Sequence, residues 1–421
     1  FIKSKTKIEK INVISGEINI DELKKIILKT KPSNLNSLIV NKINKGTLKA
    51  ELELYLSENL EIENIIVRGK VKKMNASIDD NLNLLNTNFD FFADPTDILI
   101  KNFNSNIDGF EIEDGDVRVE KKELIVLKSN FFSKVNIDKE NFKKYSKFLK
   151  NINNFDEEKI FLLANLNHNL ELNFDQTFKL TDFSYDTKGI IEKLSLRLKK
   201  PYKSQFLKKE IQDISLNKTN LSFNYNPKKE NIINIEGTYT LDNIKYQNFK
   251  FKNKFLDRSS NISSEIEYED TLKLDVINFK KKEGNKARVL LNVLKKDNEF
   301  FIKDLNYEDS SNQILVRELK INKKRIISLK KIKVKTNNKN NINNDFSIEI
   351  GKSIKINGNR YDATNLNQII NQKGNNSFFE NITKNIDIEL KKIETPLDNE
   401  LNNFKKNRKI QKGKFTKISS K

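Results

Sequence analysis

Apolar and polar residues alternate along most of this chain, and strict alternation commits a segment to one face of a β-sheet. The clearest case is Asp304–Thr336. Ile314, Val316, Leu319 and Ile321 fall on one predicted strand, and Ile326, Ile327, Leu329, Ile332 and Val334 on the next. Between Gly46 and Leu56, Leu48, Ala50, Leu52, Leu54 and Leu56 share one face, with Glu51, Glu53 and Tyr55 on the other. Ile65, Val67 and Val71 continue the pattern. Lys72-Lys73 then shifts its phase before Met74, Ala76 and Ile78, as a β-bulge does. Leu170, Leu172 and Phe174 alternate, as do Leu194, Leu196 and Leu198. So do Leu272, Leu274 and Val276, then Val289, Leu291 and Val293. Phe346, Ile348 and Ile350 are followed by Ile354 and Ile356, and Ile386, Ile388 and Leu390 close the series.

Turn signals punctuate these runs. Asp114-Gly115 predicts a type I′ hairpin between two short strands. Asn226–Lys229 and Lys282–Asn285 read as further turns. Strands joined by such short turns must pair antiparallel. Helical spacing is confined to Asp21–Lys31, which Pro32 ends; to Phe142, Tyr145, Phe148, Leu149 and Ile152 after Asp138 as N-cap; and to Leu366, Ile369 and Ile370. We expect these helices to pack as plugs or lids on sheet. A loose repeat relates Phe183–Tyr185, Ile190-Ile191 and Leu194 to Leu305–Tyr307, Ile314-Leu315 and Leu319. The Asn-rich stretch 336–344 reads as a linker between a repetitive β region, 1–337, and a C-terminal segment, 338–421.

Residue chemistry offers no catalytic or metal constellation. The chain has no Cys, which excludes disulfides and thiolate metal sites. His168 is the only His and reads as an exposed side chain in a loop, too little for a zinc site or a catalytic triad. Gly351-Lys352-Ser353 imitates the end of a phosphate-binding loop. The Gly that such a loop needs five residues earlier is replaced by Phe346, and strand rather than helix follows. Glu111, Glu113, Asp114 and Asp116 lack the spacing of a calcium loop. We therefore expect no enzyme activity and no cofactor. Net charge is +20, from 78 basic and 58 acidic residues, but the Lys side chains are dispersed over the polar faces of strands. Dispersed charge gives weak, salt-screened attraction rather than specific nucleic-acid binding. A dense basic run appears only from Lys405 to Lys417. The sequence holds no apolar run of about 18 residues, so no membrane-spanning helix is predicted.

The passage Phe346–Ile370 resembles the AsmA-like family of bacterial envelope proteins, in particular its YhdP-like branch. The resemblance rests on a strand at Ile354–Ile356, a turn at Asn357-Gly358, a Tyr361-Asp362-Ala363 step and a short helix over 365–370. The strand units at Phe183–Tyr185 and Leu305–Tyr307 fit the preceding region, and 411–420 is similar to a strand of the C-terminal module. The chain begins at Phe1 and reads as a piece of a longer protein. The resemblance implies a mainly β fold: an elongated, curved antiparallel sheet forming a groove, with a few short helices. It also implies a bridge in the periplasm, anchored in the inner membrane outside this piece. Such a bridge carries phospholipid toward the outer membrane.

On this expectation the acyl chains lie on the alternating apolar faces. The candidate lining is Leu48, Ala50, Leu52, Leu54, Val67, Leu170, Leu172, Leu194, Leu196, Leu274, Val289, Leu291, Ile314, Val316, Ile348, Ile356 and Ile388. Alternation alone leaves a second reading open. In a structural or adhesive protein made of β-sandwich modules, the same faces would close on each other as cores and carry no lipid.

Overall fold

The computed structural model describes residues 8–32, 34–77, 82–145, 154–177, 179–204, 206–322, 325–338, 341–365, 383–396, 399–411 and 414–415. The fold is mainly antiparallel β with a few short helices, as the alternation predicts. The chain divides into two compact units, residues 1–199 with 215–231 and residues 200–214 with 232–421.

The first unit contains β1 (Lys10–Ile14), β2 (Ile18–Asn19), β3 (Ile43–Leu56), β4 (Ile62–Ser77), β5 (Asn83–Ala93) and β6 (Asp97–Ile107). These are followed by β7 (Phe110–Lys121), β8 (Ile125–Ile137), β9 (Phe161–Phe174), β10 (Leu180–Tyr202) and most of β11 (Ile211–Tyr225). From β3 to β10 each strand pairs antiparallel with the next, and β1 and β2 share the outer side of β3. Short connections leave an alternating chain little other choice.

Three helices decorate this ladder: α1 (Ile20–Ile27), α2 (Asn34–Lys42) and α3 (Lys139–Tyr145). Asn19 and Glu22 close a reciprocal capping box on α1, which ends at Leu28, earlier than the spacing predicts. α2 is unforeseen, since its Asn and Ser residues dilute the apolar stripe. Asp138 caps α3 by accepting from the N–H groups of Glu140 and Asn141, each at 3.0 Å. Phe142 is buried, and Tyr145 packs edge-on against Phe110. Phe148, Leu149 and Ile152, and the predicted helix around Leu366, Ile369 and Ile370, lie outside the described residues.

β4 to β7 each carry one surplus residue. Lys73, Asn86, Asn102 and Asp114 adopt left-handed φ angles of 45–55°, at 50°, 51°, 53° and 50°, where the ladders slip register. Asn side chains of neighbouring strands satisfy the displaced amides. Lys73 N–H donates to Asn88 at 3.0 Å, Asn86 N–H to Asn75 at 2.9 Å, and Asp114 N–H to Asn104 at 3.2 Å. The phase shift predicted at Lys72-Lys73 is thus the first bulge of a file. The hairpin predicted at Asp114-Gly115 is a correction: β7 runs through it as a bulge. The tight turn lies at Asp108-Gly109, where both residues have positive φ. Dipeptide chemistry fits either site, because a bulge and a type I′ turn both need left-handed backbone.

The second unit contains β12 (Asn231–Leu241), β13 (Gln247–Leu256), β14 (Ser259–Tyr268), β15 (Leu272–Leu274), β16 (Phe279–Lys281), β17 (Ala287–Lys296) and β18 (Glu299–Asp309). Next come β19 (Asn312–Asn322), β20 (Arg325–Ser328), β21 (Lys331–Asn338), β22 (Asn341–Ile350) and β23 (Ile354–Asp362). β24 (Lys384–Glu394), β25 (Glu400–Gln411) and β26 (Lys414–Phe415) complete it. The ladder runs β13–β14–β17–β18–β19–β21–β22–β23, all antiparallel, with β20 beside the end of β19. β23 then pairs with β24 in parallel, and β25 and β26 follow antiparallel. β15 and β16 form a separate hairpin.

Five further expectations are corrected here. The Asn-rich stretch 336–344 is no linker: it lies in the β21–β22 hairpin, with Asn343 and Asn344 buried. The division into units falls elsewhere, at 199/200, 214/215 and 231/232. Asn357-Gly358 is not a turn, because β23 continues through it to Asp362. The loose repeat has no structural counterpart: Ile190, Ile191 and Leu194 remain in β10, whereas Ile314, Leu315 and Leu319 belong to the strand after Leu305–Tyr307. Finally, the strand predicted through Leu329 is broken into β20 and β21.

Candidate functional site

Register turns the alternation into rows, since directly opposed residues of neighbouring strands share a face. In the first unit Val13, Leu52, Val67, Ala93, Ile98, Val119, Leu127, Leu172 and Phe183 oppose one another in sequence. Nine strands contribute one apolar residue each, and no polar residue interrupts them. The adjacent row is Ala50, Gly69, Phe91, Ile100, Val117, Ser129, Leu170 and Tyr185. Leu48 stands between Ile18 and Val71, and Leu54 between Ile11 and Ile65.

The second unit repeats the arrangement. Val289, Tyr307, Ile314, Val334, Phe346, Gly358, Leu390 and Phe404 form one row. Leu291, Leu305, Val316, Ile332, Ile348, Ile356 and Ile388 form the next, which ends at Lys406 of β25. The candidate lining read from the sequence included just over a third of these positions. It omitted Val13, Ala93, Ile98, Val119, Leu127 and Phe183; the strands of Ala93, Ile98 and Val119 change phase at bulges, and β1 is too short to display a period.

Of the candidate residues Ile314 alone is buried, at 8% exposure; the others are half-buried. The interior of a closed sandwich covers mid-strand positions fully. The two largest buried apolar clusters lie where another element covers the face, with smaller buried patches elsewhere, as at Ile125, Ile354 and Ile386. Beneath α3, Val135, Ile137, Ala164, Leu166 and Ile191 surround Phe142, with Leu194 and Leu196 packed alongside. In the second unit Ile277 and Phe279 of the β15–β16 hairpin cover Ala287, Tyr307, Ile314, Val334 and Phe346. Leu274 is therefore a correction: it belongs to this covering hairpin, not to the ladder, and Val276 at the hairpin tip is 52% exposed.

The hairpin tip is pinned by polar contacts. Asp362 accepts from Asn278 Nδ2 at 2.9 Å and Asn343 Nδ2 at 3.2 Å, and Asn344 Nδ2 donates to the Ile277 carbonyl at 2.7 Å. Tyr361 Oη donates to the Val276 carbonyl at 3.1 Å. At the other end Lys281, 2% exposed, donates to the carbonyls of Glu269, Asp270 and Lys282. Burial lowers its pKa.

His168 is the remaining correction. It lies on β9, between Phe131 and Thr187 in register, and is 4% exposed on the apolar face. Its Nε2 is 2.7 Å from Ser133 Oγ and its Nδ1 2.7 Å from Tyr185 Oη, while Phe131 stacks on the ring at 4.5 Å. Burial lowers its pKa to about 4, so the ring is neutral at pH 7. Ser133 is 1% exposed and therefore closed to a substrate. Among the described residues no group of three or more His, Cys, Asp or Glu is placed to hold a metal, and no helix is long and apolar enough to cross a membrane.

Charged side chains occupy the opposite face. Arg68 meets Glu51 at 3.0 Å, Lys331 meets Glu349 at 2.6 Å, and Lys405 meets Glu389 at 2.8 Å. Comparisons with protein-family models, curated proteins and solved structures find no match.

Proposed function

We propose that this chain is a segment of a lipid-transfer bridge. It carries phospholipid along its apolar β face between the inner and outer membranes of a bacterial envelope. The observation that carries this reading is the unbroken nine-strand row from Val13 to Phe183, half-buried through its middle. Eight strand spacings make such a row about 38 Å long. Each acyl CH₂ laid against it gains about 0.8 kcal/mol, and headgroups need no dedicated pocket if they stay in water. That accounts for a functional surface without a catalytic constellation. The modular-sandwich alternative needs two sheets face to face. Among the described residues, the sheet outside the main ladders is the two-stranded β15–β16 hairpin alone.

The test is to load the purified chain with fluorescent phospholipid and compare Leu52→Asp and Val316→Asp with Glu51→Gln and Arg317→Gln. On an open face the new carboxylates reach water, so the Asp variants are expected to keep their thermal midpoints and lose lipid. The outward-facing controls are expected to keep both. Unfolding of the Asp variants alone would identify the rows as a closed core, because burying an unpaired carboxylate costs several kcal/mol.

A further inference from the structure

The rows of the second unit end on a strand of a different character. β25 continues the apolar face with Phe404 opposite Leu390, Lys406 opposite Ile388 and Arg408 opposite Ile386. Phe404 packs on the same apolar cluster as Leu390 and Ile393. Where the row Leu291–Ile388 next calls for an apolar residue, a cation stands instead. Lys406 Nζ lies 6.0 Å from the Phe404 ring centre, is exposed, and forms no ion pair among the described residues. The contrast with its neighbour is informative. Lys405 projects from the opposite face and is held by Glu389 at 2.8 Å. The acids of β24 thus answer the outward cation and leave the inward one unanswered.

A strip that is apolar along its length and cationic at its end matches an amphiphile with an anionic head. We propose that the β24–β25 end of this face seats the phosphate of an anionic phospholipid on Lys406, with the acyl chains along the half-buried row ending at Ile388. This seat rests on the lipid-bridge reading and adds a substrate class to it. A charge-assisted contact to phosphate is strong enough to select among headgroups, whereas the rows themselves cannot tell one acyl lipid from another.

The experiment loads the 421-residue chain from vesicles containing fluorescent phosphatidylglycerol or phosphatidylcholine and measures retained lipid after re-isolation. The unmodified chain is expected to prefer phosphatidylglycerol. Lys406→Glu is expected to lower phosphatidylglycerol retention about tenfold, the loss of one charge-assisted contact, and to leave phosphatidylcholine unchanged. Lys406→Leu, which extends the apolar row, is expected to abolish the preference while keeping both lipids. Lys405→Glu changes net charge equally on the opposite face and is expected to change neither, which separates a seat from general electrostatic attraction. Far-ultraviolet circular dichroism confirms that each variant is folded. If the unmodified chain retains neither lipid, the bridge reading fails. If it retains both without preference, or if Lys405→Glu acts as strongly as Lys406→Glu, the seat alone is overturned. Displacement of phosphatidylglycerol by millimolar inorganic phosphate would also overturn it, by showing a site for the free ion rather than for a lipid head.

Discussion

His168 stands between Asn167 and Asn169, and those two flanking amides make its segment look like a loop. They are the polar face of β9; the inward face is Leu166, His168 and Leu170. A hydropathy pattern counts the imidazole as polar and loses the strand, whereas its partners Ser133 and Tyr185 come from strands that only the fold brings near. The burial has a thermodynamic signature. The folded pKa, about 4, lies below the ordinary 6.5, so between those values the unfolded chain binds the proton that the folded chain refuses. Stability from this group is complete above pH 6.5 and is lost as pH falls toward 4. Thermal midpoints measured across that window are expected to fall for the unmodified protein, and to fall less for His168→Gln. Equal slopes in both would mean that the ring is solvated.

At the scale of elements, the β15–β16 hairpin shows what alternation conceals. Leu272, Leu274 and Val276 have the period of a ladder strand, yet the chain leaves strand geometry at Asp275, and Asn278 turns left-handed with φ 46°. Nothing local distinguishes a strand within a ladder from one lying across it; the distinction comes from Asp362, Asn343 and Asn344, more than sixty residues away. Nothing in the sequence around Tyr361-Asp362-Ala363 announced that it anchors a hairpin. Gly358 is similar. It reads as a turn former, yet a Cβ there would stand 2.5 Å from Phe346 Cα, so what it supplies is close approach between β22 and β23. Asp362→Ala removes the carboxylate that accepts from Asn278 Nδ2 and Asn343 Nδ2 and is expected to cost about 1–3 kcal/mol. Hydrogen exchange should accelerate in Leu272–Lys281 before the ladder itself opens. Unchanged protection of that segment would show that apolar contacts alone hold the hairpin.

Across the whole molecule, the fold class was legible because it depends on a period-two signal repeated many times, and chance phase errors average out. The boundaries were not. A run of Asn suits a linker by composition, but Asn337 and Asn343 serve a hairpin by hydrogen bonding to Ser311, Asn278 and Asp362. The charge of +20 was read correctly as dispersed, and the pairing shows how: many Lys and Arg side chains oppose Glu across strands on the polar face. Such exposed pairs do more to keep sheet faces from sticking together than to stabilise the fold.

The file of bulges in β4–β7 has a consequence for how such a chain can change length. Elsewhere in a strand, losing one residue turns every following side chain inside out as far as the next turn, sending lysines into the apolar row. At a bulge one residue is already surplus, and its removal restores a regular ladder with both flanks on their original faces. Deleting Lys73 should therefore lower the thermal midpoint by only a few degrees, the cost of one lost amide contact to Asn88. Deleting Lys70, three residues earlier on the same strand, should abolish folding of the first unit. Equal damage from both deletions would show that the bulge residue is held for some purpose beyond register. If the contrast holds, the four bulges mark positions where a lineage can gain or lose single codons in a protein that otherwise tolerates them only in pairs.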